Sequence, residues 1–230
     1  MSKFYDEVVR LNLGLSEQLD LTNASEISSD ILKVLGPKFK ETIERYEDNS
    51  AYLSFTDSGG TQVRIDAEDL LITVYPNKKP MAKDGAAVKR RILDILKKIS
   101  SVLDDQKYKN LSMLISGYYV PEGNDSPDDD TAVMAIMQQN LSPQRPDIIK
   151  SKFADIYLSF EHHLGSKVVE YTKARNKKKI FAIGMNEEIS FDGIDDDIGA
   201  QEACKVFSEV DIDQEFEYEY EALASITQKN

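Results

Sequence analysis

Lys83-Asp-Gly-Ala-Ala-Val-Lys-Arg-Arg-Ile-Leu-Asp-Ile-Leu-Lys-Lys-Ile-Ser-Ser-Val-Leu103 is the stretch around which the chain is organised. Its apolar residues Val88, Ile92, Ile95, Leu96, Ile99, Val102 and Leu103 recur at the i, i+3, i+4, i+7 spacing of an amphipathic helix. Lys89, Arg90, Lys97 and Lys98 occupy the other side, so the pattern predicts a long central helix over about 83–104 lying on an apolar bed. Strand-like runs stand directly before it (Leu70 to Tyr75) and after it (Leu111 to Val120), which makes the bed a sheet.

Outward from that helix the chain reads as an α+β protein. Towards the N-terminus, Phe4 to Leu15 alternates as a strand, and Asn23 with Glu26 has the form of a capping box before a helix through Leu35. Gly36-Pro37 stops that helix. Thr42 to Tyr46 reads as a strand, and Ala51 to Thr56 and Thr61 to Ile65 as a hairpin turned by Asp57-Ser-Gly-Gly60. Towards the C-terminus, Pro121 to Asp130 is rich in turn residues and divides the chain into halves at 1–120 and 131–230, unless the two make one continuous domain. The second half reads as a helix over 131–141, strands over 152–161, 168–172 and 180–185, then a helix over 199–210. Asp211 to Ile226 suits either a strand or a helix. The helix is favoured, because Phe216, Tyr220, Leu223 and Ile226 share one face and no turn residue interrupts the run. No regular strand–helix–strand alternation appears, so the expected architecture is mostly antiparallel sheet packed against the central helix and C-terminal helices.

The hairpin, long helix and apolar strand of Ala51 to Val120, with the close through Ile180-Phe-Ala-Ile-Gly184 and a terminal helix after Asp211-Ile-Asp213, resemble an uncharacterised, sporadically distributed bacterial protein family of similar length. That family has an Arg-rich strand after its long helix; here the strand is Leu114-Ile-Ser-Gly-Tyr-Tyr-Val120, without arginine. The resemblance implies a fold and no catalytic residues.

Composition narrows the classes. The chain has 230 residues, 41% hydrophobic and 30% charged, as in soluble globular proteins. No run approaches the length of a membrane span, no leader pattern opens the chain, and Cys204 is the single cysteine; these features point to the cytoplasm. The net charge of −13 is uneven. Residues 1–110 hold 17 Lys/Arg against 18 Asp/Glu, whereas residues 187–221 hold 14 acids and one base, Lys205.

Candidate chemistry is sparse. His162-His163 could supply one metal ligand or general base, but neighbours on a strand point to opposite faces, and a strand end beside Leu164-Gly165 explains them equally well. Cys204 sits among Glu202 and Glu209, whose charges oppose thiolate formation, and reads as a buried thiol. Asp192, Asp195, Asp196 and Asp197 could bind a hard cation, and with His163 would support an alternative reading as a metal-dependent hydrolase or nuclease; their spacing is not that of an EF-hand. Lys173 to Lys179 holds five bases without interleaved aromatics, and with the acidic surroundings argues against direct nucleic-acid binding. No phosphate-loop, dinucleotide, nucleophile-elbow, HExxH or CxxC motif occurs, and no cofactor is indicated.

Glu215-Phe-Glu-Tyr-Glu-Tyr-Glu221 is the most unusual stretch. As a helix it would group carboxylates and tyrosines, a face suited to a basic surface and, at phosphate-like spacing, to a DNA-binding groove. The sequence therefore points to a non-enzymatic interaction protein in which Glu215, Glu217, Tyr218, Glu219, Tyr220 and Glu221 meet a basic partner. An accessory or inhibitor role in bacteria or phage fits that reading. Self-association into a homo-oligomer is the third reading.

Overall fold

The computed structural model describes residues 3–45, 51–75, 85–103, 106–120, 156–175, 181–191 and 197–227. Among these, nine strands form one antiparallel sheet: β1 (Lys3–Leu15), β2 (Phe39–Arg45), β3 (Ala51–Asp57), β4 (Thr61–Ile65), β5 (Asp69–Val74), β6 (Tyr108–Val120), β7 (Ile156–His162), β8 (Gly165–Arg175) and β9 (Phe181–Phe191). Their order is β2-β3-β4-β5-β1-β6-β9-β8-β7. Four described helices accompany them: α1 (Ala24–Leu35), α2 (Gly85–Ser100), α3 (Ala200–Ser208) and α4 (Ile212–Thr227). The α+β class thus holds. The turn-rich segment 121–130 and the helix expected over 131–141 lie outside the described residues.

β1 lies inside the sheet because both of its edges are paired, with β5 on one side and β6 on the other. β5 and β6 are therefore parallel to each other with β1 between them, and α2 makes the crossover, a split β-α-β arrangement. Period-2 alternation then sorts the faces. Val9, Leu11, Leu13 and Leu15 of β1 join Leu70 and Ile72 of β5 and Met113 and Ile115 of β6 in one core with the helices. The opposite face is polar: Arg10 donates to Thr73 (3.1 Å), Asn12 to Ser112 (3.0 Å) and Gln62 to Ser54 (3.3 Å). β6 accordingly alternates between buried and half-buried positions from Met113 onward.

The stripe on α2 buries Val88, Ile92, Ile95, Leu96 and Ile99 as its spacing predicts. The helix is shorter than expected: it has 16 residues, the same number as α4, and is not distinguished by length. It ends at Ser100, where the Val102 N–H bonds to the Ile99 carbonyl three residues back (2.9 Å) and tightens the last turn, from which Leu103 is buried. The Asn23–Glu26 capping box does not form either. Asn23 makes no side-chain cap, its φ of −99° and ψ of 39° lying outside the extended region that such a cap needs. Gly36 does end α1, at a φ of 94° that suits glycine.

Two interactions tie the helices together. Lys89 of α2 donates to the carbonyls of Ser208 (2.9 Å) and Val210 (2.6 Å), a cation at the C-terminal end of α3. Asp213 of α4 accepts the Gly85 N–H (2.7 Å) at the start of α2. Asp211, in turn, accepts the Gln214 N–H (3.1 Å) and caps α4 itself. A Cβ at Gly85 would stand 2.5 Å from the Asp213 Oδ1 and 2.9 Å from its backbone nitrogen. Gly85→Ala should therefore destabilise the fold by about 1–3 kcal/mol, the usual cost of overpacking, despite alanine's better helix propensity. Chemical denaturation of the two proteins checks this, and an alanine variant as stable as the parent would show that the α2–α4 contact carries no weight.

Candidate functional site

The acidic C-terminal run folds as the helix α4, with Ile212, Phe216 and Leu223 buried against the core. The 3.6-residue period then decides which acids face which way. Glu215, adjacent to Phe216, is carried inward and is 8% exposed. Glu217, Tyr218 and Glu221 point outward, Tyr218 with 59% of its surface exposed. The side chains of Glu219 and Tyr220 lie outside the described residues. Glu215 is thus removed from the outer face on which the sequence had placed it.

Beneath α4, Glu215 meets charges from three strands. Lys167 of β8 donates from Nζ to its Oε2 (3.1 Å), and His162 Nε2, at the end of β7, lies 3.2 Å from its Oε1. Lys167 Nζ is also 3.6 Å from the carboxylate of Glu187, a fully buried residue on β9. The register explains the convergence. Lys167 is opposite Ile189 and Val169 is opposite Glu187, so both charged residues fall on the helix-covered face among apolar neighbours. Lys167 Nζ further sits 4.9 Å from the centroid of the Tyr218 ring, a cation–π contact that holds the ring on the flank of the helix, with its other side exposed.

The electrostatics follow from this enclosure. Burial pushes the Glu215 carboxyl up, but the charge and hydrogen bond of Lys167, with the hydrogen bonds of His162 and Glu187, outweigh it and hold the group below the usual glutamate range. One ammonium thus faces two carboxylates, with the His162 imidazole beside the outer one. The side chains of His162, Lys167 and Glu215 are 9%, 9% and 10% exposed. Their contacts join α4 to β7 and β8.

Other candidates fall elsewhere. His163 is exposed in the β7–β8 turn, its ring 4.2 Å from that of His162. Asp197 is exposed beside Ile198, which bridges to Tyr108; Asp192, Asp195 and Asp196 lie outside the described residues. Among the described residues no three His, Cys, Asp or Glu side chains are grouped to hold a metal ion. Cys204 is buried on α3, and burial raises its thiol pKa more than Lys97 lowers it. It lines an open groove of about 670 Å³ between α2 and α3 with Leu93, Lys97, Gln201 and Lys205. Of the basic run, Lys173 lies over the Phe181 ring (4.9 Å), while residues 176–179 are outside the described set. No described helix is long and apolar enough to cross a membrane. Comparison with protein-family models, with curated proteins and with solved structures gives no match for this chain.

Lys167 and Glu187 carry a sequence signal that apolar periodicity alone passes over. Lys167-Val-Val169-Glu-Tyr171 and Met185-Asn-Glu187-Glu-Ile189 each place one charge in an otherwise apolar alternation, and the two charges are opposite in sign. Lys167→Met, which leaves two buried carboxylates without their cation, should cost about 3–5 kcal/mol. The pH dependence has a defined sign. Because the folded-state pKa of Glu215 is depressed, its contribution is present at neutral pH and above the unfolded-state value, and is lost as pH falls through the folded value. Urea titrations of the parent and Glu215→Gln should differ most near neutrality and converge in acid. A constant gap across that range would mean that Glu215 acts by packing alone.

Proposed function

We propose that the protein is a non-enzymatic interaction module whose α4 presents Glu217, Tyr218 and Glu221 to a basic partner. One observation carries this reading: the inner face of α4 is clamped by the Lys167 set, so its exposed side offers two carboxylates beside an aromatic ring held by a cation–π contact. A pre-positioned tyrosine loses little entropy on binding, and acidic neighbours attract a basic surface and hasten encounter. The partner class is a protein with a cationic surface, which includes proteins that themselves bind nucleic acid. The residues of the interaction face are Glu217, Tyr218 and Glu221, with Glu219 and Tyr220 following in the same helix. Glu215 has a different role, as the anchor beneath them.

Affinity capture from host lysate at low salt, followed by stepwise salt elution, tests the reading. The parent should retain a basic protein that salt releases. Glu217→Gln with Glu221→Gln should lower the salt concentration needed for release, and Tyr218→Ala should weaken retention by about 1–2 kcal/mol or more, as for an aromatic anchor. Capture that is insensitive to all three substitutions would remove α4 from the interface.

A further inference from the structure

The groove of about 670 Å³ between α2 and α3 gathers positive charge in an acidic chain. Lys89, near the start of α2, reaches the carbonyls at the end of α3, so the two helices run antiparallel. Midway along, Lys97 on α2 and Lys205 on α3 line the groove from opposite walls. The charge of Lys97 acts on the thiol of Cys204, the residue next to Lys205, which puts both ammoniums at one level of the groove. Among the described residues neither ammonium has an ion pair or a hydrogen bond. By contrast Lys98, one residue on, pairs with Asp94 at 2.8 Å. Glu202 and Glu209, on the same helix as Lys205, are exposed and make no bridge to it. No acid is among the described lining residues, although the chain holds 41 Asp and Glu against 28 Lys and Arg. Two like charges across a cleft repel each other, and an anion placed between them is drawn by both.

We propose that this groove binds a small amphiphilic anion, an apolar body carrying one carboxylate or phosphate, with the anionic group held between Lys97 and Lys205. The rest of the lining sets the body's character. Ser101 and Ser208 donate their hydroxyl protons to the carbonyls of Lys98 and Lys205 (2.6 Å each), and Ser100 shares a hydrogen bond with the buried Tyr108 hydroxyl (2.7 Å). These hydroxyls are therefore engaged within the protein, and the lysines are the charged donors left for a ligand. Leu93, Ala200 and Cys204 supply the apolar surface, the thiol nine-tenths buried and facing the groove without a hydrogen-bond partner among the described residues. An apolar lining with a few convergent charges is the usual form of a small-molecule pocket, and the volume lies within the common range of about 300–1,000 Å³. The groove is a different surface from the acidic side of α4 and attracts the opposite charge.

Calorimetric titration of the full chain tests the site, with octanoate, octyl phosphate, 1-octanol and inorganic phosphate as probes below micelle formation and at matched ionic strength. At least one charged octyl compound should bind at a single site per chain, and the tighter of the two names the preferred headgroup. Octanol, which lacks the charge, and inorganic phosphate, which lacks the body, should each bind about tenfold more weakly or worse. Lys97→Met with Lys205→Met should weaken the charged compound by about tenfold or more. Both lysines are exposed and face each other, so this variant should unfold at the same denaturant concentration as the parent or a higher one. Cys204, the single cysteine, gives a second readout: the bound anion should slow its alkylation in the parent and leave the double variant unprotected. No binding by either charged compound, equal binding by octanol or inorganic phosphate, a double variant that binds like the parent, or binding that leaves Cys204 alkylation unchanged would each overturn the proposal.

Discussion

A buried ammonium imposes the constraint on which the C-terminal half depends. Lys167 lies on the inner face of β8, where its charge needs an acceptor from outside its own strand. Glu187 is a neighbour within the sheet, and Glu215 is delivered from above by α4. Without α4 the cation and the β9 carboxylate would be open to water and only loosely oriented. With it they select one rotation of the helix, the one that turns Phe216 inward and Tyr218 outward. Apolar burial alone sets such a rotation less sharply, because a hydrophobic stripe tolerates small shifts that a hydrogen-bonded ion pair does not.

The helix layer distributes this constraint further. α4 touches the start of α2 through Asp213 and Gly85, and α2 closes the end of α3 through Lys89. On the other flank of α2, Arg91 reaches Asp57 at the β3–β4 turn (2.7 Å). α2 therefore connects the meander β2–β5 to the helices that cover β6–β9, and its buried stripe supplies the apolar area that those polar contacts orient. The division of labour is ordinary for a two-layer protein: burial provides the driving force, and a few directed polar contacts fix register and rotation.

This division also explains what was legible in the sequence. Elements that obey a single period were readable: Val9, Leu11 and Leu13 alternate as β1, Val88, Ile92 and Ile95 recur as α2, and Asp57-Ser-Gly-Gly60 is a hairpin turn. The ambiguity at 211–226 was genuine, because alternation at Phe216, Tyr218 and Tyr220 coexists with a helical stripe; burial of Phe216 and Leu223 resolves it as helix. Helix ends were less readable, since capping depends on backbone angles, as Asn23 shows, and on residues far along the chain, as Gly85 and Asp213 show. The acidic, aromatic character of Glu215 to Glu221 was plain, but its partition into an anchor and an outer face was not. That partition requires Glu187 and Lys167, the latter 48 residues before Glu215, and nothing in the local pattern brings them together.

The buried inner face of α4 holds the helix on the sheet. Amide hydrogen exchange of the full chain at neutral pH, resolved along 212–223, tests it most directly. The Glu215 and Phe216 amides should be protected to the level of β8 and β9, and Lys167→Met should release α4 well ahead of β1 and β6. If α4 in the parent exchanges as fast as an unfolded segment, the Lys167–Glu215 clamp is not closed in solution, and the account of a pre-positioned interaction face is contradicted.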